Sequence, residues 1–267
     1  MANASLFREQ DVYVRPLLRL LSRYVHLSKS DAQQLNDLLS GSEKHFSRGD
    51  LLIEAGTQTG QIYVLAEGWA AEEKVMEGGD TCILGFLLPG DTTSINAGLG
   101  IASDVSVRCL TEVTVVTVAA PALKAFLASN PNITQAFSLM RLARESMNRE
   151  KFVSLTAKPA ESKLAHLLCE LSLRDGQAPP LKGVMPRLRL TQQEIAAALG
   201  LSAVHVNRVV QRMRKKDLLI VRPGVIYIKW DILAQLYDFD ATYMAQFEGG
   251  SGIDKNQDEA EHSEVPV

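Results

Sequence analysis

The amino-acid sequence predicts an α+β protein with three parts: an N-terminal β-barrel or jelly-roll domain, a long helix, and a winged helix-turn-helix near the C-terminus. Short apolar runs between glycine-containing turns, from His45 to Val118, are typical of a barrel built from short strands. Apolar residues at seven-residue spacing after Pro131 indicate the long helix. Two short helical patterns separated by Gly200 indicate the helix-turn-helix.

These patterns divide the chain of 267 residues into four segments. The barrel domain, which opens with two short helices, takes residues 12–130, and the long helix takes residues 131–158. A proline after position 158 ends that helix, because the residue before a proline is driven out of the helical conformation. The winged helix domain takes residues 159–247. Residues 248–267 carry six acidic side chains against one lysine and few apolar groups, so we expect a disordered acidic tail.

Composition limits the environment and the chemistry of the chain. The net charge is −3, so any surface for nucleic acid has to be local. The three cysteines, Cys82, Cys109 and Cys169, lie far apart without metal-ligand spacing, which predicts a reducing compartment and no metal site. Cys82 and Cys109 are a candidate redox pair if their strands are neighbours, but buried structural cysteines are the favoured interpretation. No apolar stretch approaches the roughly 20 residues that span a bilayer, so we expect a cytoplasmic protein without a membrane partner.

The long helix carries a candidate dimer interface. Ile133, Met140 and Met147 recur every seven residues, with Ala136 and Ala143 in the companion positions. This spacing is typical of the seam of a two-stranded coiled coil, so we predict that these five residues pair with a second copy of the chain. A glutamate and a serine interrupt the later heptads, and a helix that lies on its own barrel is the alternative.

The region after the long helix contains the most specific pattern in the chain. Thr191 and Glu194 have the capping-box spacing of a helix start, and Gly200 allows the left-handed backbone that ends this helix. Ser202 is placed to cap a second helix, in which valines and a methionine recur at three- and four-residue spacing as a buried face. A proline-glycine turn followed by the strand 225–228 forms the expected wing.

The outer face of the second helix indicates DNA binding. This face carries short side chains at the N-terminal end of the helix and basic side chains further along. We expect this pattern if the first turns enter a major groove while arginines reach bases and phosphates. The segment from Arg187 to Lys229 holds nine lysines and arginines against Glu194 and Asp217, a net charge of about +7 in a chain of −3. The predicted base-reading residues are Ala203, Val204, His205, Asn207 and Arg208. The predicted phosphate contacts are Thr191, Gln193, Ser202, Arg212, Arg214, Lys215 and Arg222.

These motifs resemble the Crp/Fnr family of bacterial regulators. The stretch from Thr191 to Ser202, followed by Val206-Asn207-Arg208, is similar to the family's DNA-binding signature. In the barrel, residues 46–56, 62–68 and 87–91 resemble the turns and strands of the family's cyclic-nucleotide-type sensor fold. The resemblance spans about residues 17–236. It implies a homodimeric transcription regulator on an inverted repeat, whose half-sites lie about one helical turn apart.

The sequence departs from the family where an effector would bind. Members that bind cyclic AMP carry a Gly-Glu pair and then an Arg-Ser or Arg-Thr pair after the Pro-Gly-Asp turn, whereas this chain lacks the glutamate and has Asp104 in the arginine region. Cyclic AMP is therefore disfavoured, because an aspartate repels a phosphate. The oxygen-sensing members hold an iron–sulfur cluster on clustered N-terminal cysteines, which this chain lacks, so no cofactor is predicted. The effector is unknown, and a barrel that serves only as a scaffold is the alternative. The candidate effector pocket is Gly85, Ile95, Asn96, Ser103 and Asp104.

The recognition helix also departs from the family. Ala203 and Val204 stand where members that read the common palindrome have arginine and glutamate, so we expect a different inverted repeat, read chiefly by Arg208. The expected partners are double-stranded DNA and a second copy of the chain, with RNA polymerase as a further candidate.

Two other classes of function compete with DNA binding. The first is a ligand-binding module that regulates a protein partner and uses the basic helix pair as the interface with it. The pair could also be an ordinary amphipathic helix pair with a solvated charged face. An enzyme is not expected, because the sequence has no glycine-rich phosphate loop, no nucleophile elbow and no metal-ligand pair on one helix.

Overall fold

The computed structural model describes residues 11–93, 100–177 and 184–249. Two short helices open the chain, as the sequence predicts: α1 over Arg15–Leu21 and α2 over Lys29–Leu39. Helix α2 begins after Ser28, whose hydroxyl accepts the Asp31 N–H at 3.1 Å while the Asp31 carboxylate accepts the Ser28 N–H at 2.9 Å. These reciprocal bonds satisfy backbone donors that a helix start leaves without partners.

The β-domain follows as two antiparallel sheets. Within the described residues its strands are β1 Glu43–Phe46, β2 Leu51–Ile53, β3 Gln61–Glu67, β4 Ala70–Val75, β5 Thr81–Leu87, β6 Ser106–Cys109 and β7 Val113–Ala119. One sheet has the order β1-β7-β3 and the other the order β2-β6-β4-β5. Gly68 joins β3 to β4 with a φ of +83°, and a Cβ there would lie 2.1 Å from the carbonyl oxygen of Glu112, so the turn requires glycine.

The strand order separates the two cysteines that the sequence offers as a redox pair. Cys82 lies on β5 and Cys109 on β6, and β4 runs between these strands. Cys109 is buried, and burial raises the pKa of its thiol to about 11, which disfavours the reactive thiolate. The candidate redox pair is therefore not formed.

Helices α3 (Ala120–Ser129), α4 (Pro131–Ala157) and α5 (Ala160–Arg174) connect the barrel to the C-terminal domain. The long helix α4 ends one residue before the predicted limit, because Lys158 already has an extended backbone in front of Pro159. We call this pair of residues the hinge. Neither α4 nor any other helix in the described ranges is long and apolar enough to cross a membrane.

The predicted dimer seam on α4 faces its own chain. Ile133, Ala136 and Ala143 are at most 1% exposed and pack in a core with α1, α2, β3 and β7. Met140 is half-buried against the same core, and Met147 lines a cavity beside it. Ile133, Ala136 and Ala143 are thus covered by their own chain, whereas Met140 and Met147 stay partly exposed. Burial against the barrel accounts for the apolar spacing of the covered residues. The dimer interface itself stays a prediction.

The winged helix domain confirms the predicted order of elements. Its described elements are β8 Arg187–Leu188, α6 Gln192–Leu199, α7 Ala203–Lys215, β9 Leu219–Arg222, β10 Val225–Ile228, α8 Trp230–Leu236 and α9 Thr242–Ala245. The strands form a sheet of order β8-β10-β9, in which Ile226 of the wing pairs with Leu188 on one side and Val221 on the other.

One apolar core joins the barrel to the winged helix domain. It contains Trp69, Phe86 and Leu88 of the barrel together with Ile195 of α6 and Val210 of α7. Helix α6 also packs directly against β5. The helix-turn-helix is therefore held on the barrel of the same chain and not only by the long helix.

The start of the predicted acidic tail forms an ion pair with the N-terminal segment. The carboxylate of Glu248 accepts hydrogen bonds from the guanidinium of Arg23, which follows α1. Gly249 lies against the backbone of Tyr24. Glu248 and Gly249 thus contact the segment that follows α1. Residues 250–267 lie outside the described residues, and the disordered tail stays a prediction.

Candidate DNA-binding surface

Local hydrogen bonds position the two helices of the candidate site. The Thr191 hydroxyl accepts the Glu194 N–H at 3.2 Å, and the Glu194 carboxylate accepts the Thr191 N–H at 2.7 Å, so the predicted capping box starts α6. Gly200 ends α6 with a φ of +63°, in the left-handed region. Ser202 then accepts the His205 N–H at 3.2 Å and starts α7. Both helix starts depend on neighbouring residues alone, which is why the sequence predicts them.

Helix α7 has one buried face and one exposed face. Its valines and Met213 are buried in the shared core, as the spacing predicts. All five predicted base-reading residues lie on the exposed face. Val204 is 62% exposed, which is uncommon for an apolar side chain and suits contact with a thymine methyl group. The Asn207 amide donates to Gln192 Oε1 at 2.9 Å, so this residue also ties α7 to α6.

The predicted phosphate contacts surround this face. Thr191 is half-buried at the start of α6, and the side chain of Arg222 lies 5.6 Å above the ring of Tyr227 on the wing. A cation held over an aromatic ring keeps its donors free for a second partner. The exposed members of the set are Gln193, Ser202, Arg212, Arg214, Lys215 and Arg222.

Arg212 has an internal partner that sequence reasoning missed. Its Nε donates to Glu161 Oε1 at 2.7 Å, and Lys216 Nζ donates to Glu161 Oε2 at 2.6 Å. The hydroxyl of Tyr237 donates to the same carboxylate at 2.8 Å. Glu161 lies in the first turn of α5, 51 residues before Arg212, so no local pattern indicates the contact. A DNA phosphate would have to compete with Glu161 for Arg212.

The Glu161 cluster predicts a pH-dependent stability. Hydrogen bonds from Lys216 and Arg212 lower the pKa of Glu161 to about 2 from a usual value of 4.5. A depressed carboxylate pKa contributes stability above the unfolded pKa that is lost as pH falls through the folded pKa. Glu161→Gln should therefore lower the urea midpoint at pH 7, and its deficit should shrink between pH 4.5 and pH 2. Glu145→Gln, whose carboxylate is half-exposed and lies 4.0 Å from Arg141, is the control and should show no such trend. A deficit that stays constant over this range would contradict the assignment.

The barrel approaches the helix-turn-helix at two places. Arg48, on the turn before β2, donates to Glu194 of α6 and to the carbonyl oxygen of Leu110. An open cleft separates the β4–β5 hairpin from the start of α7. Met76 and Asp80 line it on the hairpin side, and Ser202 and Ala203 line it on the DNA-binding side.

Three of the five residues of the candidate effector pocket, Gly85, Ser103 and Asp104, lie in the described part of the chain. Gly85 lines a small cavity between β5, α4 and α5, to which neither Ser103 nor Asp104 contributes. The Ser103 hydroxyl donates to the carbonyl oxygen of Val105 at 2.7 Å, and the side chain of Asp104 is 84% exposed and pairs with Lys74 at 3.2 Å. Gly85 and the Ser103–Asp104 pair thus have different neighbours within the described residues. Ile95 and Asn96 lie outside the described residues.

Two protein-family models match the chain. The model for the cyclic nucleotide-binding domain matches residues 43–130, and the model for the Crp-like helix-turn-helix domain matches residues 162–236. The two domains occur in the order that the motifs indicate, on either side of the long helix. The chain belongs to the Crp/Fnr family.

Curated relatives are similar to this Crp/Fnr regulator over most of its length. The chain is 27% identical over 215 residues to the fumarate nitrate reduction regulatory protein of Klebsiella oxytoca, which covers 79% of this chain and 84% of the relative. It is 28% identical over 207 residues to the corresponding protein of Vibrio cholerae, covering 76% and 80%.

Solved structures share the fold. FixK2 from Bradyrhizobium japonicum matches with a TM-score of 0.61 and 17% identity, over 73% of this chain and 96% of that chain. A putative cyclic nucleotide binding protein from Ruegeria pomeroyi matches with a TM-score of 0.59 and 19% identity, over 90% and 100%.

Family membership confirms the predicted class of function. Crp/Fnr proteins are DNA-binding transcription regulators and not enzymes, and they are typically dimers. The predicted architecture of an N-terminal β-domain and a C-terminal helix-turn-helix is confirmed as well. The effector is not determined.

In this Crp/Fnr regulator the Pro-Gly-Asp turn of the barrel ends in a buried ion cluster. Arg174 of α5 donates to Asp91 Oδ2 and to the carbonyl oxygen of Phe86, both at 2.8 Å. The second Asp91 oxygen lies 3.4 Å from Arg144. Burial lowers the pKa of Arg174, but the charges of Asp91 and Glu170 outweigh it and raise that pKa above its usual value. The cluster fastens the barrel to the first helix of the winged helix domain.

Proposed function

We propose that the chain is a cytoplasmic homodimer that reads an inverted-repeat operator with one helix α7 in each of two successive major grooves. The outer face of α7 carries this proposal: its base-reading candidates are all exposed, while its opposite face is buried in the core. A two-fold axis between the subunits would place the half-sites about 34 to 36 Å apart. Since a regulator on DNA acts on transcription by contacting or blocking RNA polymerase, that enzyme is the expected further partner.

The exposed side of α4 supports the dimer. Leu142, Phe152 and Val153 are 40%, 69% and 47% exposed on a helix whose other side is buried in the chain's own core. Leu142 and Val153 are eleven residues apart and fall on the same side of the helix, and Phe152 flanks them. Packing of this side against a second α4 would remove three large apolar side chains from water. We therefore place the dimer interface here, opposite the seam that the sequence suggested.

Arg208 is the expected reader of a guanine in each half-site, because a guanidinium donates two parallel bonds to guanine O6 and N7. Arg208→Ala should weaken operator binding by about 1 to 3 kcal/mol per half-site and relax specificity at one base pair. Lys215→Ala is the matched control, since loss of a phosphate contact should weaken all sequences alike and reduce the salt dependence. Competition binding against single-base operator variants separates the two effects. A mutant with unchanged affinity and footprint would remove Arg208 from the site.

The operator itself can be found by selection of genomic DNA fragments with the purified protein at about 150 mM salt, where weak phosphate contacts are screened. An enriched inverted repeat would support the dimeric arrangement. Failure to enrich any sequence, with or without cell metabolites, would favour the alternative function, in which the chain is a ligand-binding module that regulates a protein partner.

Cyclic AMP has no role in this proposal. Asp104 faces solvent and Lys74, and the Ser103 hydroxyl is occupied by a backbone carbonyl. Neither residue is arranged to hold a ribose phosphate.

A further inference from the structure

The segment Asp240–Gly249, which we call the C-terminal strap, includes the last helix of the winged helix domain and packs against the N-terminal half. It lies beyond residue 236, where the match to the Crp-like helix-turn-helix model ends. Its helix α9 packs against α4, Met244 is buried, and Phe247 packs against the N-terminal core. The strap therefore lies outside the part of the chain that the helix-turn-helix model matches.

Polar contacts attach the strap to three parts of the protein. The Tyr243 hydroxyl donates to Glu170 Oε2 of α5 at 2.8 Å. The Gln246 amide donates to the Ser146 hydroxyl of α4 at 3.2 Å. Arg23, just after α1, donates to the Glu248 carboxylate. One short segment thus holds the winged helix domain, the long helix and the first helix together.

The strap spans the hinge at Lys158 and Pro159. Ser146 lies before the hinge and Glu170 lies after it, so the strap contacts both helices that the hinge joins. Lys158 itself donates to Glu150 Oε1 at 3.0 Å and lies 3.3 Å from His166 Nδ1. Rotation of the winged helix domain about the hinge would stretch or break the strap contacts.

The position that the strap holds is unfavourable for DNA. The first turn of α7 has to enter a major groove about 12 Å wide, with phosphates along both walls. In the structure this turn borders the cleft in front of the β4–β5 hairpin, which the exposed Asp80 lines from the hairpin side. A carboxylate and a hairpin on this side of α7 repel and obstruct a phosphate backbone that approaches the helix.

We propose that the C-terminal strap is an autoinhibitory lock: it holds the winged helix domain against the barrel in a state of low DNA affinity, and its release raises that affinity. The proposal rests on the proposed DNA-binding function, because DNA affinity is one of the quantities that test it. It also predicts a structural change that can be measured without DNA.

A charge-swap series tests the lock. Arg23→Glu and Glu248→Arg each break the ion pair between strap and barrel domain, and the double variant restores it with the charges exchanged. Each single variant should bind a DNA duplex about three- to tenfold more tightly than the parent, on the scale of an ion pair replaced by a like-charge contact. The double variant should return to the parent affinity. If net charge alone changed the DNA affinity, the two single variants would change it in opposite directions. Arg23→Glu adds negative charge and would weaken binding, whereas Glu248→Arg adds positive charge and would strengthen it.

Hydrogen–deuterium exchange of the same full-length proteins reports the lock itself. Amides of α9 and of β5 should exchange faster in both single variants and at the parent rate in the double variant. Unchanged exchange in the single variants would overturn the lock, whatever their DNA affinity. Faster exchange without a gain in DNA affinity would overturn the proposal that release of the strap raises that affinity. A failure of every variant to bind any duplex would instead disprove the DNA-binding function.

Two truncations form a second, independent test. A chain that ends at Phe239 lacks the strap and the acidic tail, and a chain that ends at Gly249 lacks the tail alone. The lock requires a gain in affinity for the first truncation relative to the second. Equal affinities of the two truncated chains would overturn it.

Discussion

Replacing Leu142 and Phe152 together by glutamate should convert the regulator into a monomer and weaken operator binding about a hundredfold or more. The two side chains are exposed on the side of α4 that the barrel leaves uncovered. In a dimer they would be buried, and a buried carboxylate without a partner opposes association strongly. Loss of the second subunit removes the second half-site, and bivalent binding commonly contributes a factor of about 10² to 10⁴. Light scattering after size-exclusion chromatography measures the mass, and competition binding measures the affinity.

A matched control separates interface loss from added charge. Ile232 and Leu236 on α8 are 48% and 55% exposed, so their double replacement by glutamate adds the same charge to exposed apolar positions away from α4. That control should remain dimeric. A Leu142/Phe152 variant that also remains dimeric would show that α4 does not form the interface.

Arg174→Leu should be among the most destabilising single changes in the chain, at about 3 kcal/mol or more, because removal of one partner leaves a buried charge uncompensated. Its guanidinium satisfies Asp91 and the Phe86 carbonyl oxygen and lies 3.9 Å from Glu170. Chemical denaturation measures the change in the free energy of unfolding.

Arg144→Leu provides the comparison, because it removes a cation from the same carboxylate. Arg144 is 31% exposed, and its nearest Asp91 contact is 3.4 Å. The expected loss is below about 1 kcal/mol, as for an exposed ion pair. Equal losses for the two variants would mean that Arg174 is not the main partner of Asp91.

The sequence predicts best those features that depend on neighbouring residues. The bounds of α4, the capping box at Thr191 and the left-handed Gly200 all follow from patterns within a few residues, and the structure has them. The outward face of α7 follows from the same helical spacing that buries its valines. The residues that read DNA remain a prediction.

The features that the sequence missed depend on contacts between distant segments. Apolar spacing on α4 shows which side is buried, but the same spacing serves a coiled coil and the chain's own barrel equally well. The side left for a dimer is polar apart from Leu142, Phe152 and Val153, so it has no clear heptad. Likewise, the pairing of Glu161 with Arg212 and of Asp91 with Arg174 joins residues 51 and 83 positions apart.

The apolar core shared by the barrel and the winged helix domain has a thermodynamic consequence. Trp69, Phe86 and Leu88 are covered by the same domain that carries the recognition helix. If the operator prefers that domain away from the barrel, DNA and the barrel surface compete for it, and their binding equilibria are linked with opposite sign. Any compound that weakens the contact between the barrel and the winged helix domain would then raise the affinity for DNA, even if it does not contact the long helix.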